Sequence, residues 1–233
     1  IKTIVKNVND HLREANKKIK NLEQGSQSTG SSKGIPPHQA NKLCAIISLV
    51  GLKYGTPDAV DGGLELPGGT LRKYCIQVFQ EPTNKMQTMI GYLQGLGIMK
   101  FQDLGEQRVK INLVKPDVLH PFVDWFNEYN FASEDKKVTV EPDDMKALRA
   151  VYFYSDKGTP DEKGFVKLNI TNIQNESMKD LGTVVGINDY NNLIKKGITS
   201  EKMQEKDGLS LKVNREEMAR LYTFWQIVHA ISG

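Results

Sequence analysis

Gly55-Thr56-Pro57-Asp58 returns as Gly158-Thr159-Pro160-Asp161, about 100 residues further along the chain, and this repetition decides the fold. Three more landmarks repeat in the same order. They are Leu93, Gly97 and Ile98 with Leu193, Gly197 and Ile198; Val109-Lys110-Ile111-Asn112 with Leu211-Lys212-Val213-Asn214; and Trp125 with Trp225. A duplicated unit of roughly ninety residues predicts two similar small domains. We therefore expect binding surfaces rather than one deep active site.

The hydrophobic pattern predicts the same series of elements in each copy. The first copy has helical stripes from Ala40, Leu71, Met86 and Val118, a short extended piece within 62–69, and a hairpin over 98–113. Thr83 is the predicted N-cap of the third helix. The second copy has helices from Met145, Ile173, Ile187 and Met218, a strand over 166–170, and a hairpin with an extended piece at 198–199, a turn over 200–208 and a strand over 209–213.

This order of helix, short strand, helix, helix, hairpin and helix resembles the winged helix-turn-helix architecture with one added C-terminal helix. The resemblance is to an architecture and to no particular family. The predicted fold class is mainly α with small β-hairpins, arranged as two tandem winged-helix-like domains over 36–132 and 139–233 and preceded by a coiled-coil helix. A short polar stretch over 132–139 is expected to join the domains.

The N-terminal segment carries a heptad pattern. Its apolar residues are Ile1, Val5, Val8, Leu12, Ala15, Ile19 and Leu22. This spacing predicts a coiled coil over 1–24 that makes the protein a homodimer or a higher oligomer. The alternative is an amphipathic helix that packs on its own domain. The Gly- and Ser-rich stretch within 25–35 is typical of a flexible linker.

The resemblance implies a nucleic-acid site on the third helix and hairpin of each copy, because winged-helix proteins typically place that helix in the major groove. The residues at these positions are Thr83, Asn84, Lys85, Gln87, Thr88, Arg108 and Lys110 in the first copy and Asn188, Asn191, Asn192, Lys195 and Lys196 in the second. Asn and Gln can pair with adenine, and Lys can reach guanine or phosphate. The alternative is an ordinary solvated helix face, which carries the same residue types.

Charge is unevenly distributed along the chain. Residues 1–36 hold seven Lys/Arg against three Asp/Glu, whereas 37–132 hold nine of each and 133–233 hold fifteen against sixteen. Phosphate binding depends on clustered Lys and Arg. The nearly neutral repeats therefore count against a body that coats nucleic acid.

Catalytic, metal and cofactor motifs are absent from the sequence. His11, His38, His120 and His229 are scattered, and there is no Cys-x-x-Cys pair. The glycines within 62–69 lack the Lys and Ser/Thr of a phosphate-binding loop. We expect no enzymatic activity, no cofactor and no bound metal.

The compartment is inferred from apolar runs and cysteines. No apolar run is long enough to span a bilayer, so no membrane partner is expected. Cys44 and Cys75 lie on apolar helical faces and are expected to be buried thiols. These features favour an intracellular, cytoplasmic and reducing setting.

Three functions fit these expectations. The leading one is a dimeric, non-enzymatic protein that uses tandem winged-helix domains to bind nucleic acid, DNA rather than RNA, in replication, segregation or transcription. The second is a protein-interaction adaptor, since tandem winged-helix pairs also resemble modules that clamp other proteins in chromosome-organising complexes. The third is an RNA-packaging, nucleocapsid-like protein.

Overall fold

The first half of the chain folds in the predicted order of elements. The computed structural model describes residues 34–104 and 109–232, so the predicted coiled coil over 1–24, linker residues 25–33 and Arg108 lie outside the described residues. The elements are α1 (Pro37–Tyr54), β1 (Thr56–Pro57), β2 (Leu64–Leu66), α2 (Gly68–Lys73), a π-helical turn (Tyr74–Val78), α3 (Thr83–Gly95), β3 (Met99–Asp103), β4 (Val109–Leu113) and α4 (Pro116–Phe131).

The second half repeats this order. Its elements are a 3-10 turn (Pro142–Asp144), α5 (Met145–Lys157), β5 (Phe165–Asn169), α6 (Ile170–Leu181), a 3-10 turn (Ile187–Tyr190), α7 (Asn191–Lys195), β6 (Met203–Glu205), β7 (Gly208–Asn214) and α8 (Arg215–Ser232). The connection between the halves contains one further 3-10 turn, Glu134–Lys136. The described protein is therefore mixed α/β, with eight α-helices and two small antiparallel sheets.

The two sheets share a strand order. In the first, β2 and β3 flank β4, and β1 lies outside β2; in the second, β5 and β6 flank β7. All pairings are antiparallel, with Leu66 opposite Ile111 and Leu168 opposite Leu211. In each half, the strand between the first two helices thus pairs with the second strand of the hairpin.

The repeated Gly-Thr-Pro-Asp motif has the same structural role in both halves. A Cβ on Gly55 would lie 2.4 Å from the carbonyl oxygen of Gly51, and a Cβ on Gly158 would lie 2.3 Å from Cγ1 of Val166. The following Asp closes a turn: Asp58 Oδ1 accepts a 2.9 Å hydrogen bond from the amide of Val60. Asp161 Oδ1 accepts a bond of the same length from the amide of Lys163. In both halves the motif therefore follows the first helix directly and leads toward the strand that pairs with the hairpin.

The repeated Leu-x-x-x-Gly-Ile pattern ends the third helix in both halves. Gly97 and Gly197 have φ angles of 66° and 69°, in the left-handed region. In both halves the amide of the following Ile bonds to the carbonyl of the Leu at 2.9 Å. A left-handed glycine followed by such a bond is a common way to end a helix. Both halves end the third helix in the same way, and this shared requirement explains why Leu, Gly and Ile recur at these positions.

Gly97 and Gly91 give a matched test of this account. We expect Gly97→Ala to lower the free energy of unfolding by about 1–2 kcal/mol, because alanine is strained at positive φ. Gly91 lies inside α3 with open space around a built Cβ. Gly91→Ala should instead raise stability by about 0.8–1 kcal/mol. Urea denaturation of both variants checks the signs, and two changes of equal sign would contradict the assignment.

The hydrophobic core consists of two clusters that meet at α4 and α8. One cluster is formed by the first half together with Phe224, Ile227 and Ile231 from α8, and the other by the second half, to which α8 contributes Trp225. Trp225 is buried. Trp125 is only partly buried and packs edge-on against Trp225, with ring centroids 5.7 Å apart. The two repeated tryptophans therefore contact each other between the halves.

The segment before α1 also joins the two ends of this fold. Ile35, which the sequence analysis placed in the linker, is 4% exposed and belongs to the first cluster. Its amide donates a 3.0 Å hydrogen bond to the carbonyl of Ile231 near the end of α8. Ile35 is thus part of the folded body rather than of the linker.

Three local predictions differ from the structure. Thr83 is the first residue of α3, and Pro82, whose ψ of 137° is extended, occupies the N-cap without a side-chain capping bond. The predicted helix from Ile187 to Lys196 is divided into a 3-10 turn and the five-residue α7, with Asp189 accepting the amide of Gly186. Strand β6 lies inside the predicted 200–208 turn, where Glu205 pairs with Lys167 across the sheet.

Candidate nucleic-acid interface

The exposed face of α3 is polar but uncharged. Asn84, Gln87 and Thr88 are exposed, and Thr83 and Lys85 are half-buried. Asn84 and Thr88 are linked locally, since the Thr88 hydroxyl donates to the Asn84 carbonyl at 2.9 Å. The same face continues through residues 91, 94 and 95, which are Gly, Gln and Gly. This helix presents amide groups to solvent without a cluster of positive charge.

Lys110, predicted to contact phosphate, is held in an ion-pair network. Its Nζ lies 2.6 Å from Asp58 Oδ2 and 3.4 Å from Asp61 Oδ2, and its side chain is 19% exposed. The neighbouring Lys100 pairs with Asp61 at 2.6 Å. Asn112 donates to Asp58 at 3.0 Å from the central strand. Two carboxylates thus compensate both lysines of the hairpin.

The network lowers the pKa of Asp58 to about 2, through the bond from Lys110 first and the amides of Val60 and Asp61 next. Because the pKa of Asp58 in the folded protein lies below its usual value of 3.8, the stabilising effect is present above pH 3.8 and is lost as pH falls toward 2. We expect Asp58→Asn to reduce the amount by which folding stability falls between pH 3.8 and pH 2. Thermal denaturation between these pH values measures it; an unchanged slope would mean that Asp58 is not paired in solution.

The second-half residues are mostly used in internal contacts. Asn191 accepts a 2.7 Å hydrogen bond from Lys202, and Asn192 donates to Asp144 at 3.0 Å. Lys196 forms an ion pair with the same Asp144 carboxylate, which is 2% exposed. Four of the five residues, Asn188, Asn191, Asn192 and Lys195, are exposed, and Lys196 is half-buried. Three of the five predicted residues of this half are nevertheless engaged in contacts within the protein.

The first hairpin carries an apolar surface that the sequence analysis missed. Phe101 is 41% exposed, Leu104 56% and Val109 45%. Phe101 lies directly opposite Ile111, and Ile111 is buried. The buried side of the hairpin therefore continues outward as exposed apolar side chains, a feature that its alternating apolar residues could have indicated.

The described parts of the chain contain no candidate site for a metal ion or for a reactive thiol. Within 34–104 and 109–232, no three His, Cys, Asp or Glu side chains are grouped to hold a metal ion. Cys44 and Cys75 are both buried, as predicted, and burial raises the pKa of Cys44 to about 12. The described helices include none with the length and apolar character needed to cross a membrane.

Comparison with known proteins gives no relative. No known family, curated protein or solved structure matches the chain.

Proposed function

We propose that this chain is a non-enzymatic protein-interaction module built from two winged-helix-like units that pack against each other. The order of elements and the shared strand order of the two sheets support the winged-helix assignment. The contact between Trp125 and Trp225 supports a pair with one fixed geometry rather than two independent units. Such a pair can present several surfaces to one partner.

The observation that carries this proposal is the composition of the first hairpin. A hairpin that contacts a nucleic-acid backbone needs free Lys or Arg. Here Lys100 and Lys110 are paired with aspartates. The apolar side chains of Phe101, Leu104 and Val109 are exposed on the same hairpin. The centre of a protein–protein interface is poor in charge and rich in aromatic residues. The hairpin fits that description better than it fits a phosphate contact.

The hairpin can be tested by partner capture from extracts of the source cells after nuclease treatment. The full chain should retain proteins that a Phe101→Ser/Val109→Ser variant loses. Met178→Ser is the matched control, because Met178 is 57% exposed in the second half. Thermal denaturation shows whether each variant is folded. Equal capture by all three proteins would contradict the proposal.

Nucleic-acid binding is the second candidate, and the exposed amides of Asn84 and Gln87 on α3 favour it. Such amides can read adenine in the major groove. Dimerisation through residues 1–24 would join four weak units, and linked weak sites can bind tightly together. Asn84→Ala/Gln87→Ala should then reduce affinity for duplex DNA by at least about tenfold. An unchanged affinity would remove α3 from this candidate.

A further inference from the structure

A second surface lies away from the hairpin strands, where α1 meets the π-helical turn. Two contacts align these elements. The hydroxyls of Tyr54 and Tyr74 are 2.9 Å apart at one end. At the other end, Lys42 lies 2.7 Å from the carboxylate of Glu81. Residues 74–81 therefore run antiparallel to residues 42–54 of α1. We call the strip between these contacts the α1–π seam.

Apolar side chains are exposed along this seam. Lys42, Leu49 and Lys53 are spaced seven and four residues apart, so they share one face of α1. On the facing turn, Val78 lies one turn beyond Tyr74. Leu49 is 38% exposed and Val78 54%. π-helical turns are rare and frequently occur at functional sites. In each of the two elements, an exposed apolar residue thus lies between the residues that form the two polar contacts.

Positive charge borders the tyrosine end of the seam. Lys53 Nζ lies 5.3 Å from the centre of the Tyr54 ring. The hydrogen bond with Tyr74 and the nearby charges of Lys53 and Lys73 lower the pKa of Tyr54. Lys53 lies in the last turn of α1, and Lys73 is the last residue of α2, directly before the π-helical turn. Among the described residues, neither lysine forms an ion pair with a carboxylate. Their charges remain uncompensated.

We propose that the α1–π seam binds an amphipathic helix of a partner protein that carries apolar residues on one side and acidic residues beside them. The apolar side would pack on Leu49 and Val78. The acidic side would lie against Lys53 and Lys73, which supplies charge complementarity. The two tyrosine rings lie at one end of the seam only, and the exposed Leu49 and Val78 offer bases no aromatic ring on which to stack, which favours a protein partner.

The test uses a synthetic helical peptide of about 16 residues, since that length spans the seam. It carries Leu along one face and Glu beside it, and a matched peptide carries Lys in place of Glu. Each is titrated into the isotope-labelled full chain and followed by NMR. We expect the acidic peptide to shift the signals of Leu49, Tyr54, Tyr74 and Val78 at concentrations below about 1 mM. The Lys peptide should leave them unchanged.

Variants then assign the binding. Lys53→Glu/Lys73→Glu should weaken the acidic peptide about tenfold, and Leu49→Ser/Val78→Ser should do the same. Lys195→Glu, an exposed lysine in the second half, is the control and should change affinity less than about twofold. Thermal denaturation confirms that each variant is folded.

Four results would overturn the proposal. They are no shift from the acidic peptide, equal binding of the two peptides, unchanged affinity after charge reversal, and shifts that map elsewhere. A short DNA duplex that shifts the same signals and loses them in Lys53→Glu/Lys73→Glu would assign the seam to nucleic acid instead. The capture experiment on the hairpin is independent, so either result can fail without the other.

Discussion

Trp225→Ala is expected to lower the free energy of unfolding by about 3–5 kcal/mol, the largest loss of any single change considered for this protein. The indole is 2% exposed and lies among the residues of the second core. It also packs against Trp125 and Tyr129 of α4, with centroids 5.7 Å and 5.4 Å away. Alanine would leave a cavity that borders both halves, where neither half can close it alone.

Urea denaturation followed by circular dichroism measures this loss. Met178→Ala is the control, because Met178 is exposed on α6 and should change stability by less than about 0.5 kcal/mol. We expect the wild-type chain to unfold in one transition, because α8 contributes side chains to both cores. A loss below about 1 kcal/mol for Trp225→Ala would show that the contact between the halves is not packed in solution.

Asp144→Ala is expected to cost about 2–3 kcal/mol. Asp144 is 2% exposed, and its carboxylate accepts bonds from Lys196, from Asn192 and from the amide of Glu141. Removing it leaves the Lys196 ammonium, the Asn192 side-chain amide and the Glu141 backbone amide without this partner. The lysine is 26% exposed, so water compensates part of the loss and the expected value lies below that of a fully buried pair.

Asp143→Ala shows whether the loss of stability comes from the buried contacts of Asp144 or only from removing an acidic residue at the start of a helix. Asp143 adjoins Asp144 in the same 3-10 turn but is exposed, so its loss should cost less than about 0.5 kcal/mol. Burial alone would raise the pKa of Asp144, but the bonds from Lys196 and Asn192 outweigh it and the net shift is downward. The difference between the two variants should therefore be full above pH 3.8 and shrink as pH falls. Equal losses at neutral pH would contradict the buried pair.

The repeat could be predicted from the sequence because its landmarks meet local requirements. Gly97 and Gly197 are needed for positive φ, and Gly55 and Gly158 are needed where no Cβ fits. Such constraints act on one residue and its neighbours, so they leave a readable pattern. The order of helices and hairpins followed from the same local signals.

The candidate site could not be predicted to the same depth because its chemistry depends on distant partners. Lys110 is a free cation in the sequence, but the fold places Asp58 beside it, about fifty residues away. Asn192 and Lys196 likewise depend on Asp144. The contact between Trp125 and Trp225 also arises from packing between distant segments. The partners are far apart in the sequence, so no local sequence pattern predicts these pairs.

The carboxylate partners of these lysines bear on the choice between the two proposed functions, binding of protein and binding of nucleic acid. A winged-helix unit that binds DNA relies on a positive helix and hairpin. In the described chain, the lysines of the first hairpin and Lys196 of the second half are compensated, whereas apolar side chains are exposed on the hairpin and on the α1–π seam. The surface therefore favours protein partners.

The most direct test is a salt titration of the full chain with a fluorescent DNA duplex of about 30 base pairs. Phosphate-driven binding is strongest at low salt and weakens steeply between about 50 and 200 mM. The account predicts no binding tighter than about 10 µM at the lowest salt, and no steep dependence on salt. A Kd of about 100 nM or tighter at the lowest salt that weakens a hundredfold or more over that range would contradict it.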